Sequence, residues 1–148
     1  MKRFLLDTNI CLAYIRGHAL YKQVENQLGL SNEDAIVLIS VVTKAELMAL
    51  GMKRGWERKK LAQLDLLLRK LIILDISESD EALIQAYAEI DAFSQGKLKT
   101  LPLGGSAKNM GKNDLWIAAS ARVAAATLVT ADGDFDHLND VWFQVYKF

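Results

Sequence analysis

The segment Arg3-Phe4-Leu5-Leu6-Asp7-Thr8-Asn9 joins an apolar run to an abrupt change to polar residues. Residues 4–6 contain no polar side chain, a pattern typical of strands that are buried on both faces of a parallel sheet. A carboxylate, Asp7, follows this run immediately. Because ligand sites in open parallel sheets form beyond the carboxyl ends of the strands, the segment predicts a buried strand with a polar site at its end.

Similar short apolar runs recur along the chain and alternate with longer segments of helical period. The predicted strands are residues 3–6, 36–39, 71–74, 127–129 and 142–146. The predicted helices are residues 10–16, 19–28, 44–54, 57–70, 80–94 and 114–125. Each helix that connects two parallel strands must cover a face of the sheet. The fold class is therefore α/β, with three layers (α/β/α) and a mainly parallel central sheet of about five strands.

The composition limits the domain count and the compartment. The 148 residues, 51% of them hydrophobic, are expected to form a single domain over residues 1–148. Cys11 is the only cysteine, which excludes an intramolecular disulfide and a cysteine-based zinc site, and we expect it to be buried. We expect His18 and His137 at exposed turns or helix ends. No apolar stretch approaches the ~20 residues of a membrane span, so we expect a cytoplasmic protein without a membrane partner.

Acidic residues follow or flank the predicted strands at four separate points in the chain. Asp7 ends the first strand, Glu46 lies in the helix after the second, Asp114 opens the helix before the fourth, and Asp132 follows the fourth. In a parallel sheet the carboxyl ends of the strands meet at one edge. These four side chains are therefore expected to converge there.

Each of these acids also has a local structural explanation. Thr43 and Glu46 have the spacing of a capping box, in which the glutamate bonds back to a backbone N–H. Asp7 would cap the next helix, Asp114 would sit in a favourable first turn, and Asp132 would serve a tight turn. These explanations are compatible with a binding role, since a capping carboxylate can still present an oxygen to a metal ion.

The electrostatics of such a cluster favour a bound cation. Two carboxylates about 4 Å apart repel each other by roughly 4 kcal/mol at an effective dielectric constant of ~20. Carboxylate oxygens with few histidines nearby select hard ions, Mg²⁺ or Mn²⁺. Such an ion acidifies a water molecule that can attack a phosphodiester. The predicted mechanism has Asp7, Glu46 and Asp114 at the ion, Asp132 completing the site, and Glu46 orienting or deprotonating the water.

Four short motifs together resemble the PIN-domain family and, within it, the VapC-type toxin ribonucleases of type II (VapBC) toxin–antitoxin pairs. They occur in family order between residues 6 and 135. The motifs are Leu6-Asp7-Thr8-Asn9, then Ser40 with Thr43-x-x-Glu46-Leu47, then Asn113-Asp114-x-x-Ile117-Ala118-Ala119, and finally Val129-Thr130-x-Asp132-x-Asp134-Phe135.

The resemblance implies a Mg²⁺- or Mn²⁺-dependent endoribonuclease that acts on tRNA, rRNA or mRNA, forms a homodimer and is neutralised by a cognate antitoxin protein. The family's catalytic and metal-binding acids correspond to Asp7, Glu46, Asp114 and Asp132, with Asp134 as a further metal ligand. Thr8, Asn9 and Thr130 correspond to positions that support the site by hydrogen bonding. A chain that keeps the PIN fold only as a non-catalytic binding or regulatory module is the alternative.

The charge distribution leaves room for an RNA partner. Lys+Arg and Asp+Glu number 18 each, and this zero net charge argues against nucleic-acid binding at first sight. The bases are nevertheless segregated. The aperiodic segment 96–111, which departs from the family pattern, and the residue that follows it carry lysines without a single acid. The candidate RNA contacts are Lys97, Lys99, Lys108 and Lys112.

Overall fold

The computed structural model describes residues 1–17 and 19–148, and these residues form a five-stranded sheet. The strands are β1 (Lys2–Leu6), β2 (Ala35–Ser40), β3 (Ile72–Leu74), β4 (Thr127–Thr130) and β5 (Val145–Lys147). Their order is β3-β2-β1-β4-β5, and every neighbouring pair is parallel. The prediction of a parallel sheet of about five strands is confirmed. His18 lies outside the described residues, so the expectation for it has no structural outcome.

Helices connect successive strands and cover both faces of the sheet. They are α1 (Thr8–Arg16), α2 (Ala19–Leu28), α3 (Val41–Lys53), α4 (Arg58–Lys70), α5 (Glu81–Ser94) and α6 (Lys112–Ala124), followed by a 3₁₀ helix (Gly133–Leu138). Within residues 1–17 and 19–148, no helix has the length and apolar character needed to cross a membrane.

Two hydrophobic cores, one on each face of the sheet, produce the three layers. Alternate residues of β1 separate between them, because successive strand side chains point to opposite faces. In the first core, Leu5 packs with residues of α5 and α6. In the second core, Phe4 and Leu6 pack with residues of α1 to α4. Cys11 is fully buried in the second core, as expected. Burial of β1 on both faces explains the unbroken apolar run in its sequence.

The start of α3 differs from the prediction. Helix α3 begins at Val41, directly after β2, and not at residue 44. Ser40 is its N-cap, and the Ser40 hydroxyl accepts a hydrogen bond from the Val42 N–H at 3.1 Å. Thr43 therefore lies inside the first turn, and the capping-box interpretation of Thr43 and Glu46 is wrong.

The last strand also begins later than predicted. Residues 141 and 142 belong to a turn in which both backbone N–H groups donate to the Leu138 carbonyl. Asp140 adopts a φ of 65° in this turn, and β5 starts only at Val145. Trp142 is buried in the first core instead of pairing as a strand residue. Its apolar character reflects this packing.

Candidate metal centre at the carboxyl ends of the strands

Asp7 lies at the end of the central strand β1 and is only 6% exposed. It is the N-cap of α1, and its Oδ1 accepts a hydrogen bond from the Thr8 N–H at 2.8 Å. Its Oδ2 accepts a second hydrogen bond from the Thr130 hydroxyl at 2.8 Å. These two donors fix the orientation of the carboxylate, so its free lone pairs have a defined direction.

The pairing of β1 with β4 brings the second group of site residues beside Asp7. Leu6 pairs with Val129, so Asp7 and Thr130 follow at the same level of the sheet. The buried Thr130 hydroxyl oxygen also accepts a hydrogen bond from the Asp132 N–H at 3.0 Å. Asn9 adds a further link, because its Oδ1 accepts a hydrogen bond from the Ala131 N–H at 3.2 Å.

Glu46 reaches the same edge from α3, which begins immediately after β2. Its Oε1 accepts a hydrogen bond from the Thr8 hydroxyl at 2.9 Å. Thr8 therefore contacts two candidate acids, through its backbone N–H to Asp7 and through its side chain to Glu46. This contact orients the Glu46 carboxylate toward the end of β1.

Three carboxylates form the densest part of the cluster. Oxygen atoms of Asp114, Asp132 and Asp134 lie within 4.8 Å of one another. Asp114 is in the first turn of α6, and Asp132 caps the 3₁₀ helix by accepting a hydrogen bond from the Asp134 N–H at 3.0 Å. Asp136, in the same 3₁₀ helix, instead pairs with Lys147 at 2.7 Å. The structure thus separates Asp136 from the carboxylate cluster.

Burial and the charges of neighbouring acids raise the pKa of two of the clustered carboxyls. For Asp114, burial is the larger cause, and together with the charges of Asp7, Asp132, Asp134 and Glu46 it raises the pKa to about 6. Burial is also the main reason that the pKa of Asp7 is raised, while the hydrogen bond from Thr130 opposes this rise. Among residues 1–17 and 19–148, neither of the two ion pairs involves any of these five acids. The cluster therefore holds like charges together without a protein cation.

The donor set fits a hard divalent ion. Oxygen ligands on opposite sides of a Mg²⁺ ion lie about 4.2 Å apart, since each bond is about 2.1 Å long. The 4.8 Å limit for Asp114, Asp132 and Asp134 is close to this spacing, so small side-chain rotations bring the three oxygens into range. All the donors are carboxylates, which favours Mg²⁺ or Mn²⁺ over zinc.

The lysine-bearing segment leads directly into the helix that carries Asp114. The chain has no helix or strand from residue 95 to residue 111, and Lys97, Lys99, Lys108 and Lys112 are all exposed. Lys108 is close enough to the imidazole of His137 to help lower its pKa, although burial is the larger cause. His137 is in the last turn of the 3₁₀ helix but is partly buried, so the expectation of an exposed side chain is wrong. Its partner, Ser94, is 43 positions away, and no local pattern reveals such a contact.

Comparison with known proteins gives a consistent result. The family model for the PIN domain matches residues 4–141. Ribonuclease VapC2 from Rickettsia felis is 32% identical to this chain over 127 residues, which are 86% of this chain and 84% of the relative. The family match extends from β1 to the turn before β5, so it includes Asp7, Glu46, Asp114, Asp132 and Asp134.

Solved structures agree with this relationship. The chain superimposes on a structure of VapBC2 from Rickettsia felis, bound to a DNA fragment from its promoter, with a TM-score of 0.74 and 27% identity over 99% of this chain and 98% of the other. VapBC-1 from nontypeable Haemophilus influenzae has the same fold, with a TM-score of 0.69 and 22% identity over 98% and 97% of the two chains. The parallel sheet, the position of its acids and these matches together show that the chain belongs to the PIN domain family.

Proposed function

We propose that this protein is a Mg²⁺- or Mn²⁺-dependent endoribonuclease and the toxin of a toxin–antitoxin pair. The observation that carries the proposal is the convergence of Asp7, Glu46, Asp114, Asp132 and Asp134 at one edge of the sheet without a cationic partner among the described residues. The similarity to Ribonuclease VapC2 supports a nuclease, and the similarity to VapBC structures supports an antitoxin partner.

The acidic side chains have distinct roles in this proposal. Asp114, Asp132 and Asp134 supply oxygens to the ion, and Asp7 supplies a further oxygen from a carboxylate held by Thr8 and Thr130. A divalent ion held by these carboxylates would offset their mutual repulsion and would supply the Lewis acidity that makes a water molecule more acidic. Glu46, oriented by the Thr8 hydroxyl, accepts the proton of the attacking water.

The basic residues contribute to substrate binding. Lys108 and Lys112 are exposed near the point where the irregular segment leads into the helix of Asp114, and in this proposal they contact RNA phosphates. The exposed Lys97 and Lys99 of the same segment are further candidate phosphate contacts. An RNA substrate in the cytoplasm and a homodimeric assembly complete the proposal.

A cleavage assay on bacterial tRNA and rRNA tests the activity. With Mn²⁺ or Mg²⁺ the protein should cut RNA into discrete fragments, and EDTA should stop the reaction. Asp114→Asn keeps the size of the side chain but removes a charged ligand, so we expect cleavage to fall at least about 100-fold. Asp65→Asn is the matched control, because Asp65 pairs with Arg69 on the exposed face of α4, away from the cluster.

The same variants test the biological role. Expression of the wild-type protein should arrest bacterial growth, and co-expression of the cognate antitoxin should restore it. Asp114→Asn should not arrest growth, whereas Asp65→Asn should. Metal-independent cleavage, or full cleavage by Asp114→Asn, would contradict the proposal. Absence of cleavage by a protein that binds Mn²⁺ and RNA would favour the non-catalytic alternative.

A further inference from the structure

The irregular segment between α5 and α6 is attached to the body of the protein. Its returning end bonds to the end of α5, where the Lys108 N–H donates to the Ser94 carbonyl at 2.7 Å. Leu98, Leu103 and Met110 pack against the first core. The segment therefore has a defined path that places Lys108 at a fixed point beside the end of α5.

One buried hydroxyl connects this segment to the acidic 3₁₀ helix. Ser94 is fully buried, and its Oγ lies 2.8 Å from His137 Nε2 and 3.3 Å from Met110 Sδ. His137 belongs to the 3₁₀ helix that carries Asp134, while Met110 belongs to the irregular segment. Ser94 thus joins α5, the lysine-bearing segment and the helix of the metal-site acids.

The number of available donors and acceptors indicates which atom donates in each of these hydrogen bonds. His137 Nδ1 is buried and has no hydrogen-bond partner within residues 1–17 and 19–148. Burying an N–H without an acceptor costs more free energy than burying an unprotonated ring nitrogen without a donor. We therefore assign the proton of the neutral imidazole to Nε2. The Nε2–H then donates to Ser94 Oγ, and the Ser94 hydroxyl donates to Met110 Sδ. In this arrangement the His137 Nε2–H and the Ser94 hydroxyl each have an acceptor.

Charged side chains from two parts of the chain lie near the His137 imidazole. Burial lowers the pKa of the imidazole, the nearby Lys108 lowers it further, and the carboxylates of Asp136 and Asp134 oppose this shift. The imidazole is therefore neutral near pH 7, and it is close to both the Lys108 ammonium and the carboxylates of the 3₁₀ helix.

We propose that His137 is a positioning residue, whose hydrogen bond to Ser94 joins the segment that carries Lys108 to the 3₁₀ helix of Asp134, so that Lys108 is held where it contacts an RNA phosphate. This inference rests on the proposed function, because it assigns a substrate contact of the same site. It adds a residue pair, Ser94 and His137, that touches neither the substrate nor the ion but determines where the phosphate contact is made.

The stacking of His137 on Phe93 provides a way to separate this role from simple packing. The two rings are nearly parallel, at 5°, with centroids 6.4 Å apart. His137→Phe preserves an aromatic ring against Phe93 and deletes the N–H donor. His137→Gln deletes the ring and restores an N–H near the position of Nε2. Ser94→Ala removes the acceptor from the other side and is the second variant if His137→Phe does not fold.

The experiment measures RNA affinity, salt dependence and hydrogen exchange on the same set of proteins. Binding to a fluorescently labelled tRNA is followed by anisotropy in EDTA, which prevents cleavage. His137→Phe and Ser94→Ala should weaken binding about three- to tenfold and lower the slope of log Kd against log salt by about one, the signature of one lost phosphate contact. Lys108→Ala should give the same change, and adding His137→Phe to it should produce no further loss.

Two further readouts identify the mechanism. Amide exchange in residues 100–111 should become faster in His137→Phe and Ser94→Ala and return to the wild-type rate in His137→Gln. The stabilisation by Mn²⁺ should stay unchanged in all three variants, because the ligands are not altered. Under cleavage conditions KM should rise while kcat changes less than about twofold.

The outcomes separate this proposal from the proposed function. Wild-type protein that binds no RNA would contradict both. Wild-type protein that binds and cleaves RNA, with His137→Phe and Ser94→Ala matching it in affinity, salt slope and exchange, would overturn the positioning role alone. Failure of His137→Gln to restore affinity would show that the imidazole acts through its ring, and would also overturn the proposal.

Discussion

The two edges of the same parallel sheet are built in opposite ways. At the amino ends of the strands, the Arg3 guanidinium donates a hydrogen bond to the Ala124 carbonyl at 3.0 Å, and the Ala35 N–H donates to the Asn32 carbonyl at 3.2 Å. Each of these polar groups has a partner of complementary character. At the carboxyl ends, the clustered carboxylates face other carboxylates, and burial and their charges raise the pKa of Asp114 to about 6.

This difference shows that the acidic edge is not explained by folding stability. Both edges contain strand ends, loops and helix termini, and the local requirements for capping and turns are the same. Among residues 1–17 and 19–148, the three carboxylates whose oxygens lie within 4.8 Å of one another are at the carboxyl edge. Asp136 provides a comparison within that edge, because it is paired with Lys147 while its neighbours Asp132 and Asp134 belong to the cluster. In the proposed function, a bound cation would compensate the charge of these unpaired acids.

The largest predicted difference is in the rate of RNA cleavage, between two variants that each lose one carboxylate charge at opposite edges of the sheet. Asp7→Asn should lower RNA cleavage at least about 100-fold, because it removes a candidate ligand that two hydrogen bonds hold in place. Asp34→Asn is the matched control, since Asp34 is exposed and immediately precedes β2 at the amino edge. We expect its cleavage rate, measured on the same RNA, to remain within about twofold of wild type. Equal loss in both variants would contradict the assignment of the site to one edge.

A smaller effect is expected from a threonine pair on the same strand. Thr130→Val removes the hydroxyl that bridges Asp7 and the Asp132 N–H, and we expect cleavage to fall about tenfold. Thr127→Val makes the identical change at the other end of β4, where it should leave cleavage within about twofold of wild type. Steady-state kinetics with both variants checks this prediction. Equal activity of the two variants would show that the orientation of Asp7 does not depend on Thr130.

The smallest effect concerns stability in the absence of metal. Asp114 has a pKa of about 6 in the folded protein against 3.8 as its ordinary value, so the folded state binds more protons between these two values. The contribution of this carboxyl to stability is therefore greatest near or below pH 4 and is lost as the pH rises through 6. Because Asp114 is half-exposed and water screens its charge, we expect Asp114→Asn to raise Tm by only about 2 °C at pH 7.5.

The pH dependence supplies the control for this prediction. In EDTA, the difference in Tm between Asp114→Asn and wild type should shrink toward zero as the pH is lowered to 4, where the wild-type carboxyl is protonated as well. Differential scanning calorimetry measures both quantities. A variant that is less stable than wild type at pH 7.5 would show that the Asp114 charge is compensated within the protein.

The sequence was sufficient to predict the sheet and the approach of the acids because both depend on short-range patterns. Continuous apolar runs such as residues 4–6 mark strands buried on both faces, and a parallel sheet brings residues that follow its strands to one edge. Helix starts were less predictable. Ser40 and Thr43 both suit an N-cap, and the choice between them depends on which hydroxyl meets a free backbone N–H.

Contacts between distant segments without periodicity could not be predicted. The bond between Ser94 and His137 spans 43 positions and depends on the path of the irregular segment from residue 95 to residue 111. The sequence of that segment shows three lysines and no acid, but it does not show that the backbone of Lys108 bonds to the end of α5. The separation of Asp134 from Asp136 was likewise hidden, because it depends on Lys147 at the end of β5.

The most direct test of a cation site at the acidic edge is Mn²⁺ anomalous diffraction from crystals of the wild-type protein. We expect an anomalous peak coordinated by Asp114, Asp132 and Asp134, with Asp7 as a direct or water-mediated ligand. The peak should be absent from crystals of Asp114→Asn grown and soaked in the same way. Ordered Mn²⁺ elsewhere on the protein with none at this edge, or an unchanged peak in Asp114→Asn, would rule out a cation site formed by these acids.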